Sequence, residues 1–345
     1  MIEFCIYVSG TMGENLKEPE DMFEADSMKK EGNRNSTKNR KETESMNEME
    51  NRNVIEIKNV TKDYGDFKLD HISFHVPEGS VCGFIGQNGA GKTTTIRSIL
   101  DVTDIDEGEI TVFGQNIKNN SAKIREDIGV VFDEMGFHEF MTGKDINIMM
   151  KNIYKNWDES VFFDYLRRFS LPTKKPCGAF SRGMRMKLQI AVALSHHAKL
   201  LIMDEPTSGL DPIVRNEMLQ IFREYVVEED HTILLSSHIT GDLEKLADEV
   251  VFINGGRIVL SGNKDEIIEK HGLLKCKKNE LKQISESLIV YAEMQSYAAN
   301  VLVNDKKVCE KLYPDMVIEP ASLEDIMLFY VNKNTQNASS SKSAE

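Results

Sequence analysis

From Val54 onward, short apolar runs of strand length alternate with longer stretches whose apolar residues recur every three or four positions. The strand-like runs are Val54 to Val60, Ile72 to Val76, Ser80 to Ile85, Ile128 to Phe132, Leu200 to Met203, Thr232 to Leu235 and Val250 to Ile253. Helical spacing covers Lys92 to Leu100, Asp158 to Phe169, Arg182 to Ser195 and Pro212 to Glu228. Strands that alternate with helices predict an α/β core around a parallel sheet. After about Asn263 the pattern weakens into a Lys/Glu-rich segment, which ends in an apolar helical stretch, Ser322 to Val331, and a Ser/Asn-rich tail.

The residues before Val54 read differently. Gly13 to Arg52 is rich in Glu, Lys, Asn and Met and almost without aromatics, the composition of a solvated tail. Met46 or Met49, just ahead of the first strand, is expected to be the translation start. The opening apolar run lacks the basic start and small-residue cleavage site of a secretory signal. A formal net charge of −14 and a pI near 5.2 argue against wrapping nucleic acid through a basic surface. No apolar run approaches the roughly 18 residues that a bilayer span needs. The five cysteines (Cys5, Cys82, Cys177, Cys276, Cys309) have no CxxC spacing, which predicts free thiols.

The chemistry concentrates in two motifs. Gly86-Gln87-Asn88-Gly89-Ala90-Gly91-Lys92-Thr93 lies between a strand-like and a helix-like run, the context of a phosphate-binding loop. Its glycines let successive N–H groups face phosphate oxygens at a helix N-terminus. Asn88, Ala90 and Thr94 belong to the same cradle, Lys92 reaches the β- and γ-phosphates, and the Thr93 hydroxyl is a Mg²⁺ ligand. Further on, "LLIMDEP" reads as a buried strand that delivers Asp204 and Glu205 at its carboxyl end, where open α/β sheets bind ligands. Asp204 is expected in the Mg²⁺ shell and Glu205 as the group that polarises the attacking water.

With these motifs and their spacing, the chain from about Val54 to Gly262 resembles the ATP-binding subunit of an ABC transporter, most closely the single-domain ATPases of bacterial exporters. The resemblance implies a P-loop NTPase core with a mostly parallel central sheet, an antiparallel β subdomain and an inserted helical subdomain at about 134–197. A disordered extension (1–53), an ATPase domain (54–262), a small accessory region (263–333) and a disordered tail (334–345) complete the expected organisation. It also implies that Tyr64 stacks on adenine, Asp211 is the carboxylate of the "SGLD" loop, and His238 senses the γ-phosphate. Ser181 and Gly183, in "FSRGM", would meet ATP held by a partner copy, although a Ser at that place also serves as a plain helix cap. Two positions depart from the family pattern: Arg182 stands where a glycine is usual, and Asp133 replaces a glutamine that reaches for Mg²⁺. Asp133 is expected to accept the metal or its water, with the partner's Arg182 offsetting its charge. The implied ligands are ATP and Mg²⁺, and the implied partners a separate membrane permease and a second ATPase subunit, with no nucleic acid. The implied location is cytoplasmic, peripheral at the inner face of the membrane. A soluble ABC ATPase acting on ribosomes or nucleic acid is the alternative; such relatives tend to carry two ATPase domains, long coiled coils or zinc modules, none of which this sequence shows.

Overall fold

A computed structural model describes residues 52–227 and 231–342. The extension up to residue 51, with Met46, Met49 and Cys5, and the final residues 343–345 lie outside the described residues. The described residues open with the hairpin β1 (Asn53–Asp63) and β2 (Lys68–Pro77) before β3 (Val81–Ile85) enters the interior. After α1 (Lys92–Ile99), strands β4 (Glu107–Val112) and β5 (Gln115–Asn116) return to the hairpin, giving an antiparallel sheet of order β2-β1-β4-β5. In β2, Leu69, Ile72, Phe74 and Val76 are buried while Lys68, His71, Ser73 and His75 are exposed, as expected of a sheet with one face on the core. Register shifts in both strands coincide with positive φ at Asn59 and His71 and mark β-bulges.

The central sheet contains β3, β6 (Ile128–Val131), β7 (Leu200–Asp204), β8 (Thr232–Ser237), β9 (Glu249–Asn254) and β10 (Arg257–Asn263), in the order β10-β9-β3-β8-β7-β6. All its pairings are parallel except β9 with β10. The period of two divides each central strand between two cores. Leu200 and Ile202 of β7 face the core shared with the β subdomain, whereas Leu201 and Met203 face the core shared with the helices. This order sets the ends of β3, β8, β7 and β6 side by side along one edge, which brings four sequence-distant segments together.

Between β6 and β7 run α2's successors in the inserted helical subdomain: α2 itself (Ile117–Glu126) precedes β6, and α3 (Gly143–Ile153), α4 (Glu159–Arg168) and α5 (Arg182–Leu194) follow it. The Thr142–Asp145 capping box starts α3, a signal weaker to the eye than its mixed "GKDINIMMKNI" interior. Helices α6 (Pro212–Val227) and α7 (Thr240–Leu246) complete the layer.

The C-terminal region is more ordered than its weak patterning predicts. Beyond α8 (Lys264–Lys270), strands β11 (Gly272–Lys277), β12 (Ile289–Met294), β13 (Ala298–Val303) and β14 (Val317–Pro320) form a second antiparallel sheet, β12-β13-β11-β14, with α9 (Lys278–Leu281) and α10 (Lys306–Leu312). It has its own small core of Leu274, Cys276, Ala299, Val301, Val303 and Cys309. Helix α11 (Leu323–Lys342) covers the "SLEDIMLFYV" stretch and continues as helical backbone into residues expected as a tail. Its Leu323, Ile326 and Phe329 join the main core beside Leu243 and Leu246 of α7. Cys82, Cys177, Cys276 and Cys309 are free and buried, and burial pushes each thiol up. Among the described residues, no helix is long and apolar enough to cross a membrane.

Candidate nucleotide site

The loop after β3 is shaped by what a side chain would do to it. A methyl group on Gly86 would approach the Ile253 carbonyl oxygen to 2.6 Å, so the loop can press against β9 only without one. Gly91, the N-cap of α1, has φ +114° and packs under Leu69 and Phe67. Lys92 is 6% exposed; its Nζ donates to Gly86 O at 2.6 Å and Gln87 O at 3.3 Å. The same ammonium lies 3.0 Å from Glu205 Oε1. Gln87, Asn88, Gly89, Gly91, Lys92, Thr93, Thr94, Glu205 and Phe67 surround a 350 Å³ cavity, with Ala90 tied to β9's turn by Gly256 N–H donating to its carbonyl at 3.0 Å.

The end of β7 meets this loop directly. Thr93 Oγ1 donates to Asp204 Oδ2 at 2.8 Å, and Ser236 Oγ donates to Asp204 Oδ1 at 2.6 Å. Ser236 Oγ also accepts from Glu205 N–H at 3.0 Å, so one hydroxyl on β8 orients both acidic residues. Ser236 was not legible as a site residue; its only signal is the Ser-Ser pair just before His238. Glu205 adopts φ +52°, a conformation that costs a non-glycine residue about 1 kcal/mol or more and turns its carboxylate off the strand. Its Oε2 lies 2.7 Å from His238 Nδ1, so the carboxylate is held between the Lys92 ammonium and the His238 imidazole. When the Nδ1 proton occupies that bond, neutral His238 presents Nε2 as an acceptor on its exposed side.

A second network, unforeseen from sequence, sits behind the site. Asp242 of α7 accepts from Arg215 Nε at 2.7 and 2.8 Å and from Thr207 Oγ1 at 2.8 Å. It links the segment after Glu205, the start of α6 and the helix after His238. Asp211 caps α6, accepting from Ile213 and Val214 N–H at 3.1 Å. His196, just beyond the end of α5, stacks on Tyr154 with ring centroids 3.9 Å apart, and burial lowers its pKa to about 4.

Several expected site residues lie elsewhere. Asp133 does not join Thr93 and Asp204: its carboxylate is ion-paired with Arg182 of the same chain, in a different cleft at the start of α5. The pairing imagined between two copies is thus made within one, because β6 and α5 are neighbours in the fold. Ser181 accepts from Met184 N–H at 3.3 Å as the α5 N-cap, and with Gly183, Gly209 and Asp211 it borders a separate 350 Å³ cavity. Tyr64 is 50% exposed and does not line the phosphate-loop cavity; the aromatic that does is Phe67, at the other end of the same hairpin turn, whose carbonyl accepts from Tyr64 N–H at 2.9 Å.

Residues 69–208 match the family described as ABC transporter. Over 206 residues, 58% of this chain, the sequence is 40% identical to the bacitracin transport ATP-binding protein BcrA of Bacillus licheniformis, spanning 66% of that relative, just under two thirds of its length. Over 207 residues it is 35% identical to the ABC transporter ATP-binding protein NatA of Bacillus subtilis (strain 168), covering 57% of this chain and 82% of that one. A solved ATP-binding subunit of an ABC transporter superposes with a TM-score of 0.57 at 28% identity, covering 62% of this chain and 91% of its own.

Proposed function

The chain belongs to the ABC transporter ATP-binding proteins, a family of ATPases, and on that premise we propose that it hydrolyses ATP to drive a separate membrane-spanning permease, as an exporter. The observation that carries this reading is Glu205, held at the mouth of the phosphate-loop cavity between Lys92 and His238 and next to the Thr93–Asp204 pair. The Lys92 ammonium, now resting on the Gly86 and Gln87 carbonyls, turns to the β- and γ-phosphates. Loop N–H groups and the α1 N-terminus hold the remaining phosphate oxygens. Thr93 and Asp204 offer only hard oxygen donors and already touch, so they fit Mg²⁺, which supplies charge neutralisation on the phosphates when bound. Glu205 takes the proton of the water that attacks the γ-phosphorus as the bond to the ADP oxygen breaks, and His238 Nε2 keeps that water in line.

The aromatic turn at 64–67 supplies the face for the adenine, with Phe67 as the floor beside Gly91 and Tyr64 at the rim. Ser181, Gly183 and Asp211 are set apart from the phosphate loop, which supports a second copy completing each site, in a homodimer. The bacitracin-transport relative favours export, and the acidic net charge favours a protein partner over nucleic acid. Such a subunit works at the cytoplasmic face of the membrane. Glu205→Gln should remove turnover while keeping ATP binding and yielding a stable ATP-bound dimer by size-exclusion chromatography. Hydrolysis at the wild-type rate would refute the role of Glu205. Native purification from membranes should bring down a multispanning protein; ribosomes instead would overturn the transport reading.

A further inference from the structure

We propose that Arg182 is a positioning residue for hydrolysis: its ion pair with Asp133 fastens the end of β6 to the start of α5 and so sets Ser181 and Gly183 relative to the Asp204–Glu205 strand end. The inference rests on the reading above. Arg182 is the first residue of α5, and its guanidinium reaches Asp133, two residues beyond β6. The same guanidinium lies across the "SGLD" loop at Gly209, where a Cβ would stand 3.1 Å from its Cζ and Nη1. Gly209 has φ +66° and no side chain, so the planar group can rest there.

The grip has a second point. Gln189 is two helical turns further along the same face of α5. Its Nε2 donates to Phe132 O at 3.1 Å and its Oε1 accepts from Phe132 N–H at 3.4 Å. Phe132 and Asp133 are therefore held at successive residues by one face of one helix. Gln189 is buried, a fixed anchor, whereas Arg182 and Asp133 are each about half exposed and form the contact that can yield. Because β6 pairs with β7 in register, Val131 opposite Met203, this grip connects directly to Asp204. Arg182 also lines the adjoining cavity with Ser181 and Gly183, but its guanidinium is paired with Asp133 and lies over Gly209. That pairing is the contact by which Arg182 places the start of α5.

A charge swap separates these roles. Arg182→Asp and Asp133→Arg should each lower kcat about fivefold, the scale of one exposed ion pair, with little change in KM for ATP. The double variant Asp133→Arg/Arg182→Asp should recover most of the loss. A double variant no better than the worse single one, or single variants with wild-type kcat, would overturn the proposal; the first result would mean the guanidinium acts on the nucleotide directly. Hydrogen exchange at residues 132–134 should rise in both single variants and return in the swap, whatever the turnover, and unchanged exchange would equally overturn it. The more conservative Asp133→Asn gives the same single-variant losses in kcat and exchange protection should a reversed charge prevent folding. Glu205→Gln measured alongside keeps a failure of the hydrolysis reading distinct, since it leaves the exchange pattern at 132–134 untouched.

Discussion

Asp242→Asn tests whether the two chemical ends of the site are wired together behind the sheet. The side chain is 2% exposed and both oxygens are engaged, with Arg215 Nε at 2.7 and 2.8 Å, Arg215 Nη2 at 2.7 Å and Thr207 Oγ1 at 2.8 Å. Asn has the same shape, so no cavity forms; what is lost is the charge and one acceptor, replaced by an N–H₂ that meets other donors. Breaking a fully buried pair costs about 3–5 kcal/mol. Arg215 retains 29% exposure, so water compensates part of this, leaving an expected loss of about 2 kcal/mol. For a domain of this size that is a fall of about 4–8 °C in Tm by calorimetry. Arg215→Met should cost a similar amount, and the two changes together little more than either alone, because each removes the same interaction. Since Thr207 follows Glu205 by two residues and Asp242 follows His238 by four, kcat should fall with Tm. A Tm for Asp242→Asn within about 1 °C of wild type, or fully additive losses, would refute the account.

Gly86→Ala should weaken ATP binding and stability more than Gly89→Ala, because only at Gly86 does the new methyl meet backbone, whereas Gly89 faces open space and suffers only the strain of φ +78°; equal effects in isothermal titration and thermal melts would contradict this. His196 is held neutral in the fold, with a pKa near 4 against an ordinary 6.5, so the unfolded chain binds the extra proton first as pH falls. Stability should therefore decline from about pH 6.5 to 4, by up to about 3 kcal/mol, and the decline should be shallower in His196→Phe, measured by urea unfolding. Phe67→Ala should weaken ATP binding by roughly 1–3 kcal/mol if its ring carries the base, whereas a loss confined to Tyr64→Ala would return that role to the rim residue.

Covalent order settled a large part of this protein. The phosphate loop and the "LLIMDEP" strand need only local spacing, because a helix N-terminus and a strand end are built from adjacent residues; the strand order then sets Lys92 and Thr93 against Asp204 and Glu205, with His238 beside them. The alternation of strands and helices likewise foretold a parallel sheet. The C-terminal sheet escaped because its strands are only four to six residues long, mix apolar with polar positions, as in "GLLKCK" and "VIEP", and pack on a small core. Tertiary structure alone decided which chain Arg182 answers to, which aromatic lines the cavity, and that Ser236 and Asp242 orient the acidic and basic groups. Those are contacts between residues far apart in sequence, and they depend on strand order: with β6, β7, β8 and β3 as neighbours, side chains that no spacing rule connects come within hydrogen-bond distance.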